Sequence, residues 1–594
     1  MTTAGTAPPA TAATPRVPEP AAAGRVPAPP LSASAYADRL VAALADAGMT
    51  DLVVCPGSRS QAIALAAARL DRADRLAVHV RIDERSAAFL ALGLARETGR
   101  PAGIVVTSGT ALANLHPAML EAHHSDVPLI AITADRPAEL QGVRANQTTR
   151  QPGIFGDAAR VVIDVGADAL RDPEGDAVRS VRAALGWRDE PIGHTEPGPV
   201  QLNIAFREPL SDAVPSATQS PGAVEPVGRP PMPESVLLPA PATVVIAGAD
   251  AGAAAVDVAE AVGAPLIAEP TSGARFGRHL VPHGRDVIGL LGAEVRRVVV
   301  LGHPTLSRAV TGLIRDPRVE VVVLGRAGQD NVQGTGATTV LTGRIQVEQV
   351  AEADAPACAA WVERWVTAGR ALAAQRDAEA APDSELSRAA YARAELAEGR
   401  TPITRRDLVT QVWSRTWPHD RLVVAASRLI RELDSWAGPK AVTAVANRGL
   451  AGIDGTVSTA SGIALAHERA GAPGLTRLLI GDLALLHDVG GLQVPPGEPR
   501  PRLQIIVGND RGGSLFELLE VAGTADRDDF ARVQRTPHTV DLEHLAAAYG
   551  WPYERVTDRA GLRRALSQAR PGIIEATLGD QPRASGGTSD AQQL

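Results

Sequence analysis

Residues Arg477 to Gly513 read RLLIGDLALLHDVGGLQVPPGEPRPRLQIIVGNDRGG, and the parsing of this stretch decides the fold. An apolar run, Leu478-Leu479-Ile480, stops at Gly481-Asp482. A short helix-compatible segment follows, and a second run, Leu503 to Val507, stops at Gly508-Asn509-Asp510. The pattern is strand, crossover, strand. Parallel strands joined by one crossover usually neighbour each other, and their polar tips emerge at the carboxyl edge, where α/β proteins bind ligands. Asp482 and Asn509 are therefore expected to face one spot. A carboxylate and an amide carbonyl are hard oxygen donors of the kind Mg²⁺ accepts, with phosphate oxygens and water completing its shell. The glycines on both sides let a diphosphate approach the backbone. Two ordinary strand ends closed by turn residues would give the same pattern.

The 594 residues are enough for roughly three or four domains. Hydrophobic residues make up 45% and charged residues 21%, as in ordinary globular chains. Net charge is −8 and there is no basic block, which argues against a nucleic-acid partner. Cys55 and Cys358 are too few for a disulfide framework, so a cytoplasmic setting is expected. No apolar stretch approaches the roughly 18 residues of a membrane span, and membrane insertion is not expected. Residues 1–31, rich in Ala, Pro and Thr, and residues 580–594 read as disordered tails.

Outward from the opening stretch, the same plan recurs near the start of the chain. A helix over 32–47 carries Leu40, Val41, Leu44 and Ala47 at helical spacing. A strand, Asp51 to Val54, runs into Cys55-Pro56-Gly57-Ser58-Arg59-Ser60, a turn with hydroxyls and a cation that reads either as an anion-contacting loop or as helix capping by Ser60. The strand Ala77 to Val80 leads through Asp83-Glu84-Arg85 into a helix from Ser86, and an isolated Glu84 there would most often only complement the helix dipole. The strand Gly103 to Val106 meets Thr107-Ser108-Gly109-Thr110, ahead of a helix expected over 111–123. His123 and His124 close that helix as dipole-complementing residues. The strand Pro128 to Thr133 ends at Asp135-Arg136, before Asn146 and Gln147.

The middle of the chain has strands expected at Thr243 to Ala247, Pro265 to Ala268, Arg297 to Gly302 and Val319 to Leu324. His303, Arg308 and Arg275 stand nearby as contributors to a neighbouring pocket. After an Ala/Glu/Arg-rich connector, the strand Arg421 to Ala425 ends at Ser427, with Arg428 and Arg431 beyond. The glycine-dense run Asn447 to Gly455 implies close approach of backbone to a ligand.

Gly481-Asp482, with Asn509 27 positions on, resembles the diphosphate-binding motif of thiamine-diphosphate enzymes, with Leu483 in place of the usual second glycine. CPGSRS at 55–60, RIDERSA at 81–87, TADRP at 133–137, ANQTT at 145–149 and NRGLAGIDGTVSTASG at 447–462 are more specific. They resemble the synthases of menaquinone biosynthesis within that family, and the resemblance runs from residue 32 to 579.

The resemblance implies an α/β chain of three doubly wound parallel-sheet domains. These are a pyrimidine-binding domain (32–210), a linker (211–241), a central domain (242–350), a helical connector (351–400) and a diphosphate-binding domain (401–579). It implies thiamine diphosphate held between two subunits of a homodimer or homotetramer. Mg²⁺ or Mn²⁺ would be held by Asp482, Asn509 and the main-chain carbonyl of Arg511, with Asp510 an alternative to Asn509. Glu84 would hydrogen-bond the aminopyrimidine ring and so promote loss of the thiazolium proton. Ser108, Gly109 and Thr110 would lie against the pyrimidine; Ile453 would wedge the cofactor into its bent shape, beside Gly452, Gly481, Leu483 and Gly512.

The implied substrates, 2-oxoglutarate and isochorismate, are both dianions, and arginine suits them because its planar fork grips a carboxylate by two hydrogen bonds. Arg59, Arg136, Arg308, Arg431 and Arg448 match basic substrate-binding positions. Ser58, Asn146, Gln147 and Ser427 would add neutral hydrogen bonds, and Leu515 and Phe516 would stand beside the reacting carbon. An acetolactate synthase or 2-oxoacid decarboxylase would not need these arginines. A non-catalytic binding protein of the same fold would not need Glu84, Asp482 and Asn509 together.

Overall fold

The computed structural model describes residues 29–187, 196–212, 224–325, 338–378 and 397–579. Three parallel sheets organise them. The first holds β1 (Asp51–Val54), β2 (Ala77–Val80), β3 (Ala102–Val106), β4 (Leu129–Asp135), β5 (Val161–Val165) and β6 (Val200–Ala205), in the order β2-β1-β3-β4-β6-β5. β1, β3, β4 and β6 are buried along their whole length, which explains their nearly unbroken apolar runs. Helix Ala33–Asp46 covers one face through Leu40, Val41 and Leu44, and Ser32 caps it by accepting from the Ala35 amide.

The middle region holds β7 (Glu234–Leu237), β8 (Thr243–Ala247), β9 (Leu266–Ala268), β10 (Arg297–Leu301), β11 (Glu320–Leu324), β12 (Thr338–Leu341) and β13 (Arg344–Val347). Its sheet runs β12-β11-β10-β8-β9, and β7 pairs with β13 alongside it. The third sheet holds β14 (Arg421–Val424), β15 (Thr443–Val445), β16 (Thr476–Gly481), β17 (Leu503–Asn509), β18 (Tyr553–Val556) and β19 (Gly572–Thr577), in the order β15-β14-β16-β17-β19-β18. In all three sheets the first strand lies between the second and the third. The crevice at such a reversal of strand order is where doubly wound folds bind ligands.

Three expectations change. The Pro-rich segment read as a linker over 211–241 contains β7, which pairs in parallel with β13. The helix expected over 111–123 is a 3₁₀ turn, Leu112–Leu115, followed by helix His116–His124. Pro117 sits in the first turn of that helix, the one helical place where its missing N–H costs nothing, so a new helix begins there. The connector read over 351–400 contains helix Ala355–Ala378, and 379–396 lie outside the described residues. The tails lie outside them too, except for 29–31, where the Leu31 amide donates to the Leu170 carbonyl at 2.7 Å.

The outer domains meet where helix Glu84–Thr98 crosses helix Thr456–Arg469. A Cβ on Gly93 would lie 2.2 Å from the Thr459 carbonyl oxygen, and one on Gly462 would lie 2.2 Å from that of Leu90. Backbone therefore touches backbone, and only glycine fits. Partly buried ion pairs frame the crossing: Arg469 binds buried Asp51, and Arg421 donates to Glu97 at 3.0 Å.

Candidate active site

The register Ile480↔Val507, Gly481↔Gly508 sets the tips of β16 and β17 side by side. Asp482 opens the next helix, Asp482–His487, and is buried. Its Oδ1 accepts from the Leu483 amide at 2.7 Å. Its Oδ2 accepts from the Gly512 amide at 2.9 Å and lies 3.0 Å from His538 Nε2. Burial, and then the charge of Asp510, raises the Asp482 carboxyl above its ordinary value, a cost that a bound cation would relieve.

Asn509, the last residue of β17, donates through Nδ2 to Glu575 at 2.9 Å, so its Oδ1 is the atom turned outward. That oxygen accepts from the Arg511 amide at 3.0 Å. The bond closes an Asx-type turn that holds Arg511 at φ 57°, a left-handed conformation unusual for a non-glycine residue. Asp510 points elsewhere, with its Oδ2 taking Arg405 at 2.6 Å and the Ser514 hydroxyl at 2.5 Å. Among the described residues no group of three His, Cys, Asp or Glu side chains is placed to hold a metal. The donors here are instead mixed: the Asp482 carboxylate and the Asn509 amide oxygen. Such a set fits Mg²⁺ that also keeps phosphate oxygens and water.

Glu84 is the first residue of its helix because Asp83 caps it, accepting from the Arg85 amide at 3.0 Å. The Glu84 carboxylate is half-buried and has no hydrogen bond to any described residue. Arg85 donates to the His487 carbonyl at 2.7 Å, which ties this helix start to the segment that Asp482 opens. The 107–110 loop is packed by its neighbours. A Cβ on Gly57 would lie 2.3 Å from that of Thr107, and one on Gly109 would lie 2.6 Å from Gln147 Cγ. Ser108 donates to the Gln147 carbonyl at 2.9 Å. Thr110 is exposed, as are Ser58, Asn146 and Gln147. Ser60 stands at the N-cap position of helix Gln61–Asp71 without a side-chain capping bond; its hydroxyl donates to the Gly57 carbonyl at 3.2 Å, so side-chain capping does not explain this loop.

The arginines fall into pairs. Buried Arg59 donates to the Phe206 carbonyl at 3.0 Å and feels the charge of Arg136, and the Nε atoms of both lie buried without a partner. In the third domain Arg431 feels the charge of Arg448. Arg431 donates to the Ser427 carbonyl at 2.9 Å, and NH1 of buried Arg448 has no partner. Burial first, and the neighbouring cation second, lowers both Arg59 and Arg431 from the ordinary arginine value. Two guanidiniums set together with unused donors are arranged for an anion. Arg308 stands apart, half exposed and 3.4 Å from Glu520.

Arg275 lines a cavity of about 270 Å³ with His283, Arg376, Arg406 and Trp436. It is buried and committed to Ala437, Ala268 and Asp434, joining the middle and third domains. His303 pairs its backbone with Ala249. Ser427 begins helix Arg428–Trp436 without a side-chain capping bond. Arg428 donates to the Ser514 carbonyl at 2.9 Å, which ties that helix to the turn carrying Leu515 and Phe516. A cavity of about 450 Å³, lined by Phe89, Leu120, Glu121, Asn447, Leu450 and Gly452, adjoins half-buried Ile453. Its size is that of an ordinary small-molecule site.

Residues 35–157 match the family described as thiamine pyrophosphate enzyme, N-terminal TPP binding domain. The 2-succinyl-5-enolpyruvyl-6-hydroxy-3-cyclohexene-1-carboxylate synthase of Leifsonia xyli subsp. xyli is 47% identical over 581 residues, covering 92% of this chain and 96% of that one. The synthase of the same name from Clavibacter michiganensis subsp. michiganensis is 47% identical, covering 92% and 97%, and that from Nocardioides sp. is 43% identical, covering 92% and 96%. The chain belongs to this synthase family. A solved structure of a candidate thiamin diphosphate-dependent enzyme from Mycobacterium smegmatis shares the fold, with a TM-score of 0.64 at 16% identity over 93% of this chain and 100% of that one.

For a member of this synthase family, the sequence left several supporting residues unread. Glu575 orients Asn509, and is itself held by Tyr553 and Arg555. His538 reaches Asp482. Gln151 accepts from the Gly109 amide at 3.1 Å, and Glu121 accepts from the Gly449 and Leu450 amides at 2.9 and 2.8 Å. A buried glutamate inside the otherwise apolar GIIEAT was the available signal for Glu575.

Proposed function

We propose that this chain is a thiamine-diphosphate-dependent synthase of menaquinone biosynthesis that decarboxylates 2-oxoglutarate and joins the succinyl unit to isochorismate. The carrying observation is the two arginine pairs, Arg59 with Arg136 and Arg431 with Arg448, each with buried and unused donors. Two dianions need two cationic grips, whereas a small monoanionic 2-oxoacid leaves one pair unmatched. The names of the relatives agree: a succinyl group on a ring that also carries a carboxylate and an enolpyruvyl ether comes from a dicarboxylate donor and a dianionic acceptor.

When bound, thiamine diphosphate supplies the nucleophilic carbon and the sink for the charge left by departing CO₂. Asp482, the Asn509 Oδ1 and the Arg511 carbonyl hold its Mg²⁺ or Mn²⁺. Glu84, with an uncommitted carboxylate at a capped helix start, holds a proton against the ring nitrogen. Arg59 and Arg136 grip one substrate, and Arg431 and Arg448 the other. Ile453, Leu515 and Phe516 keep water from the reacting carbon. Two copies of the chain form the smallest working unit in this reading, and exposed Ile82 and Leu450 beside the site offer apolar surface for the second copy. Two cysteines, one of them buried and both unpaired, suit a cytoplasmic enzyme. Among the described residues no helix is long and apolar enough to cross a membrane.

The test is incubation with 2-oxoglutarate, isochorismate, pyruvate, Mg²⁺ and thiamine diphosphate, followed by mass analysis. The succinylated ring product is expected. Its absence, with pyruvate consumed instead, would overturn the proposal.

A further inference from the structure

We propose that Glu269 and Thr305, both in the middle domain, are positioning residues for substrate that act through Arg448 of the third domain. The inference rests on the reading of Arg448 as a substrate grip. Glu269 follows the last residue of β9, and Thr305 stands in the loop after β10. β8 lies between these strands, so both residues sit at the carboxyl edge of the middle sheet.

Glu269 is only 4% exposed, and one of its oxygens, Oε1, accepts from two successive amides, Thr305 and Leu306, each at 2.8 Å. The same loop also packs on the end of β8, where a Cβ on Gly248 would lie 2.2 Å from the His303 carbonyl carbon. Thr305 then holds Arg448. Arg448 Nε donates to the Thr305 hydroxyl at 3.0 Å, and NH2 donates to that hydroxyl and to the Thr305 carbonyl, the latter at 3.3 Å.

A guanidinium is rigid and planar, so pinning its Nε and NH2 edge also sets the direction of NH1. NH1 is the buried donor without a partner. The middle domain thus decides where the unused donor points. Glu269 keeps this place at a cost: its Oε2 has no partner, and burial, then Asp434, pushes its carboxyl up to about 7 against the opposing amides and Arg448. A carboxyl kept under such conditions is explained by what it orients rather than by packing.

The test uses the full-length holoenzyme and measures kcat and KM for each substrate, with thiamine-diphosphate affinity and thermal midpoint measured alongside. Thr305→Val removes the hydroxyl acceptor at constant shape. It is expected to raise KM for one substrate roughly tenfold, the scale of one misplaced charge-assisted contact, with kcat and cofactor affinity nearly unchanged. Thr305→Ser is expected to restore KM. Glu269→Gln, which keeps an acceptor for both amides, should stay near the parent value, and Glu269→Ala should behave like Thr305→Val. In an Arg448→Ala background, Thr305→Val should add nothing. If Arg448→Ala raises KM while Thr305→Val does not, or if Thr305→Val still acts without Arg448, the proposal is overturned. If Arg448→Ala itself leaves both KM values unchanged, the reading of Arg448 as a substrate grip falls, and this inference with it.

Discussion

The two outer sheets have one strand order, β2-β1-β3-β4-β6-β5 and β15-β14-β16-β17-β19-β18, yet they present opposite chemistry at the same corner. In each, the residue ending the fourth strand is held by a polar side chain of the sixth, at an equivalent step of the register: Thr133↔Asn203 in one and Val507↔Glu575 in the other. In the first domain the tip is Asp135, which accepts from Asn203 Nδ2 at 3.0 Å. In the third the tip is Asn509, which donates to Glu575 at 2.9 Å. The polarity of the bond is reversed. Asp135 spends its charge inward, on Asn203 and on the Arg136 amide at 2.7 Å, leaving Arg136 as the group offered outward. Asn509 spends its N–H inward and offers an oxygen. One scaffold thus yields an anion-seeking tip and a cation-seeking tip.

The largest effect is expected at Glu84, the proposed proton-holding group, which has no counterpart in this comparison. Glu84 follows the second strand of the first sheet, whereas the second strand of the third is followed by Asn447 and Arg448. Glu84→Gln should lower kcat by roughly 10²–10⁴, the usual share of general acid–base catalysis, with folding intact. A steady-state assay giving near-parental kcat would remove Glu84 from the chemistry.

Next come the arginine pairs. Charge-assisted hydrogen bonds contribute roughly 1.5–3 kcal/mol each, so Arg136→Ala and Arg431→Ala should each raise KM by about 10- to 150-fold. Each should act on a different substrate and leave cofactor affinity nearly unchanged. If both variants impaired the same substrate, the division of labour between the two sheets would be wrong. The reversed bond is tested by Glu575→Ala, which frees the Asn509 amide to turn its N–H outward. Mg²⁺ affinity, titrated by the change in tryptophan fluorescence in the presence of cofactor, should weaken about 10- to 100-fold, as for other residues that orient metal ligands. Asn203→Ala, at the matching position, should leave Mg²⁺ affinity unchanged.

The strand tips were legible because an apolar run that stops at a polar residue shows both the strand and its end. Asp482 and Asn509 fall at the adjoining ends of β16 and β17 on that basis, and Arg59, Ser108 and Arg136 follow the ends of β1, β3 and β4. What was not legible is what holds each tip from far along the chain. Glu575 lies 66 residues from Asn509, and Glu121 lies 328 from Gly449. Nothing local distinguishes such partners from surface carboxylates. Strand β7 was hidden by the prolines around it, although its own four residues pair normally with β13. The break at Pro117 was visible but was read through, because the apolar spacing continues across it. Arg275 does line a cavity, but its bonds to the Ala437 carbonyl and to Asp434 were not legible, because only the docked domains bring those partners within reach.

The smallest effect concerns the seam between the two copies of the scaffold, where Asp488 is fully buried. It accepts from the Ser458 amide at 2.8 Å and from the Ser458 and Ser86 hydroxyls, each at 3.2 Å, so one carboxyl ties the starts of the two crossing helices. Burial outweighs these bonds and pushes the group up from 3.8 to about 6. A raised folded value means that the folded state binds the proton more tightly. The stability this contributes is fully present below the unfolded value and is lost as pH rises through about 6. Asp488→Asn keeps an acceptor oxygen for the Ser458 amide but cannot ionise. Between pH 5 and 7.5 the parent should therefore lose on the order of 1 kcal/mol relative to this variant, read as a narrowing gap between their denaturation midpoints. A gap that does not change over this range would mean that the carboxyl is ionised throughout, with the hydroxyl and amide donors stronger than burial. The seam would then be an ordinary salt-tolerant contact rather than one that prefers a neutral acid.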